Sequence, residues 1–275
     1  MGKKYLIALD LEGVNYVVGV PYEGLRRGTE QYEIAVNEAV REVNAIAQGL
    51  FLSGAESVTV WDNHGGGGNI DPRDIDGRCV VLSQEESESG LRMDFADKYG
   101  FDAIFFVGYH SMEGTIGGVL AHTMSSECVQ YMKIGGKEVG EIAIDAYIAG
   151  EKGIVPCLVV SDDKGCDEAR RFIPDVVTVE TKTGLSRNSA GFCDDTELMG
   201  ELVAKSMMQA ERDFTLLRLH FPNIFEIRYT RTERAAEALR NASEKYSLCA
   251  AYNGDAHTVA FFATGIDDIK KALKS

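Results

Sequence analysis

The sequence lacks three things whose absence narrows its class. Its six cysteines (Cys79, Cys128, Cys157, Cys166, Cys193 and Cys249) form no C-x-x-C pair. At this chain length they are not the framework of a small disulfide-stapled scaffold, and they read as reduced thiols, several of them buried. Basic residues are also short: Lys plus Arg number 28 against 43 Asp plus Glu, a net charge of -15. Such a surface repels nucleic acid and anionic membranes and favours bound cations. Long apolar runs are missing as well. The first, Tyr5 to Leu9, is cut by Asp10 and Glu12, too soon for a signal peptide or a membrane span. Leu6 stands where myristoylation needs Ser or Thr. A soluble cytoplasmic protein is the expectation. No internal repeat or low-complexity linker divides the chain.

What is present is a series of short buried strands that each stop at polar residues. Tyr5 to Leu9 runs into Asp10-Leu11-Glu12-Gly13; Ser57 to Trp61 runs into Asp62-Asn63-His64; Ile104 to Val107 leads to Gly108-Tyr109-His110; Val155 to Val160 ends at Ser161-Asp162-Asp163. Continuous apolar runs of this length fit strands covered on both faces, as in a parallel sheet. Helical spacing of apolar residues from Gln31 to Leu52 predicts a helix whose opposite side carries Glu33, Arg41, Glu42 and Gln48, completing a βαβ unit. Further helices are expected at 91–99, 141–149, 165–172 and 194–212. A hairpin is expected around Gly135-Gly136. The acidic run from Ser83 to Ser89 reads as a solvated loop.

The resulting fold class is α/β: a mostly parallel sheet flanked by helices (residues 1–213), with a smaller C-terminal α/β subdomain (residues 214–275) packed on it. Strand-end carboxylates and histidines then lie along one edge, where open parallel sheets build their sites. Asp10 and Glu12 project to one side in an extended chain and repel each other unless a cation or a proton intervenes. Together with His64, His110 and Glu141 they form a nitrogen and oxygen donor set suited to two Zn²⁺ or similar ions, with His122 close by. His220 and His257 lie away from the strand ends and read as structural. The glycines Gly65 to Gly68 are not followed by G-K-[ST], so a lid or substrate-contact loop fits them better than a phosphate cradle. A strand is expected from Val176 to Glu180 and a polar loop, KTGLSRNSA, from Lys182 to Ala190, in which Lys182 and Arg187 are candidate anchors for a substrate carboxylate or carbonyl.

The segments ALDLEG (8–13), VWDNHG (60–65), VGYH (107–110), GGVLAHTM (117–124) and KEVGEIAIDAYIAG (137–150) resemble, in order and spacing, the motifs of the zinc-dependent D-aminopeptidase family. The likeness extends to VPCLVVSDD (155–163) and the Lys182 to Arg187 segment, and is only general over the last sixty residues. It implies that Asp10 bridges two zinc ions, that Glu12 and Glu141 complete one and His64 and His110 the other, and that His122 is catalytic, as nucleophile or as general acid/base. This chain departs from the pattern by one extra residue between His110 and His122 and by Asn63 in place of a frequent serine. The resemblance further implies hydrolysis of the amino-terminal residue from short peptides or amino-acid amides, and a ring-shaped homo-oligomer. The rival readings are another dimetal hydrolase, acting on phosphate esters or amides, and a non-catalytic metal- or peptide-binding protein.

Overall fold

The computed structural model describes residues 2–210 and 215–275. In chain order its elements are β1 (Lys4–Leu9), α1 (Glu30–Leu52), β2 (Ser57–Asp62), β3 (Val80–Val81), α2 (Gln84–Glu88), α3 (Ala96–Tyr99), β4 (Ala103–Val107), β5 (Val129–Ile134) and β6 (Lys137–Glu138). There follow α4 (Glu141–Glu151), β7 (Val155–Asp162), α5 (Asp163–Phe172), β8 (Val177–Ser186), β9 (Ser189–Phe192) and α6 (Asp195–Ala210). The last are β10 (Asn223–Tyr229), α7 (Thr232–Tyr246), β11 (Ala250–Tyr252), β12 (Thr258–Ala263) and α8 (Ile266–Leu273).

The larger sheet has the order β3-β2-β1-β4-β7-β8-β9, parallel except for the β8/β9 hairpin at its edge. Period-two alternation sends the side chains of each central strand into two cores. Tyr5, Ile7 and Leu9 of β1, with Phe105 and Val107 of β4, pack under α1 and α6; Leu6 and Ala8, with Ile104 and Phe106, face α4 and the second sheet. Both faces are therefore covered, which is why these strands are almost uniformly apolar.

The second sheet is antiparallel, with the order β11-β12-β10-β5-β6. Its β5/β6 hairpin comes from residues 129–138, so the smaller layer is assembled from two separated parts of the chain. The expected domain boundary at 213/214 and the expected end of the long helix at Arg212 lie outside the described residues.

Three local expectations change. The segment containing Lys182 is not a loop: β8 continues through it to Ser186. The acidic run after Ser83 is capped by that serine, whose hydroxyl accepts from the Glu86 N–H, and forms the short helix α2. Glu42 does not face solvent; its side chain is fully buried on the inner side of α1 and accepts a 2.8 Å hydrogen bond from the Asn15 N–H.

Candidate metal and active site

The carboxyl ends of β1, β2 and β4 converge because two glycines let the strand extensions touch. The Gly13 N–H donates to the Gly108 carbonyl at 2.7 Å, and a Cβ at Gly108 would meet the Asp10 carbonyl at 2.1 Å, one at Gly13 the Tyr109 carbonyl at 1.9 Å. Gly108 also has a positive φ of 71°, which any side chain would strain. This contact sets the turn holding Asp10 and Glu12 directly against His110. On the other side, His64 follows β2. Glu141 is the first residue of α4, where the helix N-terminus favours its negative charge.

The donors form two groups sharing Asp10. In one, His64 Nδ1 lies 2.9 Å from Asp10 Oδ1 and 3.1 Å from Glu12 Oε2. In the other, His110 Nε2 lies 3.6 Å from Asp10 Oδ2 and 3.4 Å from Glu141 Oε1. A third grouping, Glu12 with His110 and His122, overlaps both. All five expected ligand residues are thus brought together. Their side-by-side arrangement, however, sets Glu12 beside His64 and Glu141 beside His110, whereas the motif resemblance pairs Glu12 with Glu141 and His64 with His110.

The donor set fits divalent cations. Nitrogen and oxygen donors roughly 3 to 3.5 Å apart are about the separation that ligands take around one ion at about 2 Å bond lengths. His110 Nε2 is buried and makes no hydrogen bond among the described residues, while its Nδ1 is 3.0 Å from the Ser111 carbonyl. With the proton on Nδ1, donated to that carbonyl, the Nε2 lone pair points at the carboxylates, the orientation a metal-binding imidazole requires. The electrostatics agree. Burial disfavours the charged imidazoles of His64 and His110, yet the adjoining carboxylates outweigh it and lift them to about 12 and about 10. Burial would raise Glu141, but the facing His110 imidazole holds it down at about 2; burial and the Glu12 charge push Asp10 up to about 7. The cluster draws positive charge into itself, and a divalent cation answers that demand.

His122 stacks on His110, with ring centroids 3.9 Å apart and planes 13° from parallel. Its Nδ1 is 2.9 Å from the Leu120 carbonyl, which fixes the proton there and leaves Nε2 as a lone-pair atom 3.9 Å from Glu141 Oε1. Burial and the His110 charge push its pKa below the ordinary histidine value, which favours the neutral ring. The loop bearing it is pinned on every side: the Val119 N–H donates to Asp162 Oδ2 at 2.7 Å, the Leu120 N–H to the Arg187 carbonyl at 2.9 Å, and the Met124 N–H to Glu141 Oε1 at 2.7 Å. Leu120 and Met124, either side of His122, both adopt positive φ (52° and 61°), a conformation that only such surroundings maintain in residues with side chains.

The two candidate substrate anchors separate. Lys182 is fully buried, and its Nζ donates to the carbonyls of Glu12, Val14 and Val17 at 2.6 to 2.7 Å. Its three donors are used within the chain, so it ties down the loop after β1 and does not reach substrate. Arg187 hydrogen-bonds the Ala121 carbonyl and lines a cavity of about 500 Å³ over the donor cluster. Glu23 to Leu25 and Gly65 to Gly66 line the same cavity, so the first loop and the glycine run both border the site.

Other polar residues that support the site were not singled out from sequence. Asp162 appeared only as one more polar strand end, yet one of its oxygens holds the His122 loop while the other caps α5 through the Gly165 N–H at 2.7 Å. Asp145, one turn beyond Glu141 on the same helix face, is wholly buried; it holds Arg92 through two hydrogen bonds and accepts from the Tyr109 hydroxyl at 2.7 Å. The signal available was an aspartate at i+4 on an otherwise apolar helix face. His257 is structural as expected, with Nδ1 3.1 Å from the Tyr229 carbonyl.

A doubly wound α/β layer carrying two nitrogen and oxygen donor groups about a shared aspartate, with a histidine stacked beside them, has the architecture of a metal-dependent hydrolase. Residues 3–273 match the D-aminopeptidase family, and the chain belongs to that family. It is 28% identical over 187 residues to the D-aminopeptidase of Bacillus subtilis (strain 168), a match spanning 68% of this chain and 66% of that protein, just under two thirds of its length. A solved structure described as a zinc-dependent D-aminopeptidase, DppA, from Bacillus subtilis, a self-compartmentalizing protease, superimposes with a TM-score of 0.83 at 23% identity, covering 99% of this chain and 95% of that one. The expected fold class is the one found, a largely parallel sheet flanked by helices.

Proposed function

We propose that this protein is a dizinc aminopeptidase that releases the amino-terminal residue, of D configuration, from short peptides or amino-acid amides. The observation that carries the reading is the meeting of Asp10, Glu12, His64, His110 and Glu141 in one buried cluster with the Nε2 lone pair of His122 directed beside it. Family membership supports the reaction class, and the names of the relatives support zinc and the D preference.

Zinc, when bound by these side chains, supplies Lewis acidity toward a scissile carbonyl and a positive anchor for a free amine. Asp10 would be the shared ligand, with Glu12 and His64 placed to hold an ion on one side of it and His110 and Glu141 on the other. Glu23 and Glu127 add negative charge to the cavity mouth, where a substrate ammonium group would enter. An amine-capped peptide loses that attraction, which explains exopeptidase selectivity. His122 acts through Nε2, either attacking the carbonyl carbon or taking a proton from the attacking group; its Nδ1–H stays on the Leu120 carbonyl and holds the ring in plane through the step. Arg187, on the cavity wall, is the candidate contact for a substrate carbonyl.

The test is a panel of D- and L-dipeptides, amino-acid amides and phosphate esters offered to zinc-loaded protein. Release of amino acid from the D-peptides or D-amides supports the proposal; turnover of phosphate esters alone overturns it. His122→Ala should keep two zinc ions per chain by elemental analysis and lose turnover by at least about a hundredfold, whereas a protein that merely binds metal or peptide would be indifferent to the change. Assembly into a closed homo-oligomeric ring goes with this reading, and light scattering should return a single mass several times that of the chain.

A further inference from the structure

The cavity over the donor cluster continues into a second one. Asn63, Gly66, Arg92 and Met124 line both, and beyond them the second cavity encloses about 400 Å³, within the range of small-ligand pockets. Its walls are chiefly apolar: Trp61 from β2, Leu91, Met124, and Leu273 at the end of α8. The final helix of the chain thus forms part of a wall that adjoins the site built by the first strands.

The two cavities differ in charge. Acidic Glu23 and Glu127 accompany the donor residues in the first, with Arg187 on its wall, whereas Lys270 and Lys274 line the second and Arg92 stands between the two. Lys270 is satisfied by Asp94 and Asp267. Arg92 lies over the Trp61 ring and is held by Asp145 through Nε and Nη2, leaving Nη1 without a hydrogen bond among the described residues. Lys274 donates to the Gly90 carbonyl and has no carboxylate partner among the described residues. Asp62 is spent on the N–H groups of Asn69 and Ile70, so the acid left on that wall is the exposed Glu88. From one end of the paired cavities to the other, the surroundings pass from ammonium-attracting to carboxylate-attracting, with an apolar stretch between. A short peptide with free termini has the same polarity.

We propose that the second cavity is the subsite for the residue following the scissile bond: its apolar side chain lies between Trp61, Leu91 and Leu273, and its free carboxylate is read by Lys274. This assignment rests on the aminopeptidase reading and makes the protein a specialist for dipeptides and other very short peptides with an unblocked carboxyl end. The test compares D-alanyl-leucine with its carboxyl-terminal amide, as substrates by kcat/KM and as reduced-bond (CH2–NH) analogues by calorimetric binding. The free acid should be preferred roughly tenfold, the worth of one charge-assisted hydrogen bond. Lys274→Glu should abolish or reverse that ratio in both measurements, and Lys274→Arg should keep it. Equal ratios in all three proteins, or no preference in the wild type, overturn the subsite while D-alaninamide is still hydrolysed. Failure of the wild type on D-alaninamide as well overturns the aminopeptidase reading, and the subsite with it.

Discussion

Single side chains in this protein are placed by oxygen atoms that serve two tasks at once. Asp162 caps α5 with one oxygen and holds the His122 loop with the other. Replacing it by Asn leaves an acceptor for only one of the two N–H groups, and the loop is the part free to shift. Asp162→Asn is therefore expected to lower kcat by roughly ten- to hundredfold through misplacement of His122, with zinc content unchanged by elemental analysis. Glu42 offers a second test. Burial pushes its carboxyl up to about 8; Lys182 and Arg41 act to lower it, Glu38 to raise it, and the Asn15 N–H lowers it by donation. A carboxyl raised above its unfolded value keeps its full contribution to stability below about pH 4.5 and loses it as pH climbs toward about 8. Denaturant unfolding of Glu42→Gln between pH 5 and 8 should accordingly show a flatter pH dependence than the wild type. The residues that the fold gathers into the candidate site were legible because most of them are carboxylates and histidines that end apolar runs. Their supports were not, since Asp162, Asp145 and Glu42 are ordinary acidic residues until the fold surrounds them with donors.

Strands and helices were legible to the extent that one periodicity dominated each. β1, β4 and β7 announce themselves as unbroken apolar runs, and the β5/β6 hairpin by its two adjacent glycines. β8 was cut short because its second half carries polar residues, and what makes it a strand there is pairing with β9 and the buried amine of Lys182, neither visible in local sequence. That amine links β8 to three carbonyls of the loop after β1. Lys182→Met removes all three donors while preserving most of the side-chain volume, and should cost about 2 to 4 kcal/mol in denaturant unfolding. Loss of metal affinity should accompany it, because the same loop presents Glu12.

At the scale of the molecule, the candidate donors come from four places between Asp10 and Glu141, and a cation held by all of them would bind only where the fold assembles them. Ligand that binds the folded state alone raises its stability by mass action. The unfolding temperature should therefore rise with zinc concentration and fall on treatment with a strong chelator, and Asp10→Asn, which weakens the ligand shared by both donor groups, should remove most of that dependence. The smaller antiparallel sheet was the least legible layer, because its strands β5 and β10 lie far apart in sequence and only their pairing from Val129 to Ile134 against Phe225 to Tyr229 unites them. That pairing bears on how the chain emerges during synthesis. The hairpin of β5 and β6 lies between His122 and Glu141, and its sheet neighbour β10 is made only after α4, α5 and α6 have followed. A nascent chain thus carries Asp10, His64 and His110 long before the segment that delivers Glu141 can settle, so the candidate centre is completed only once β10 has been made.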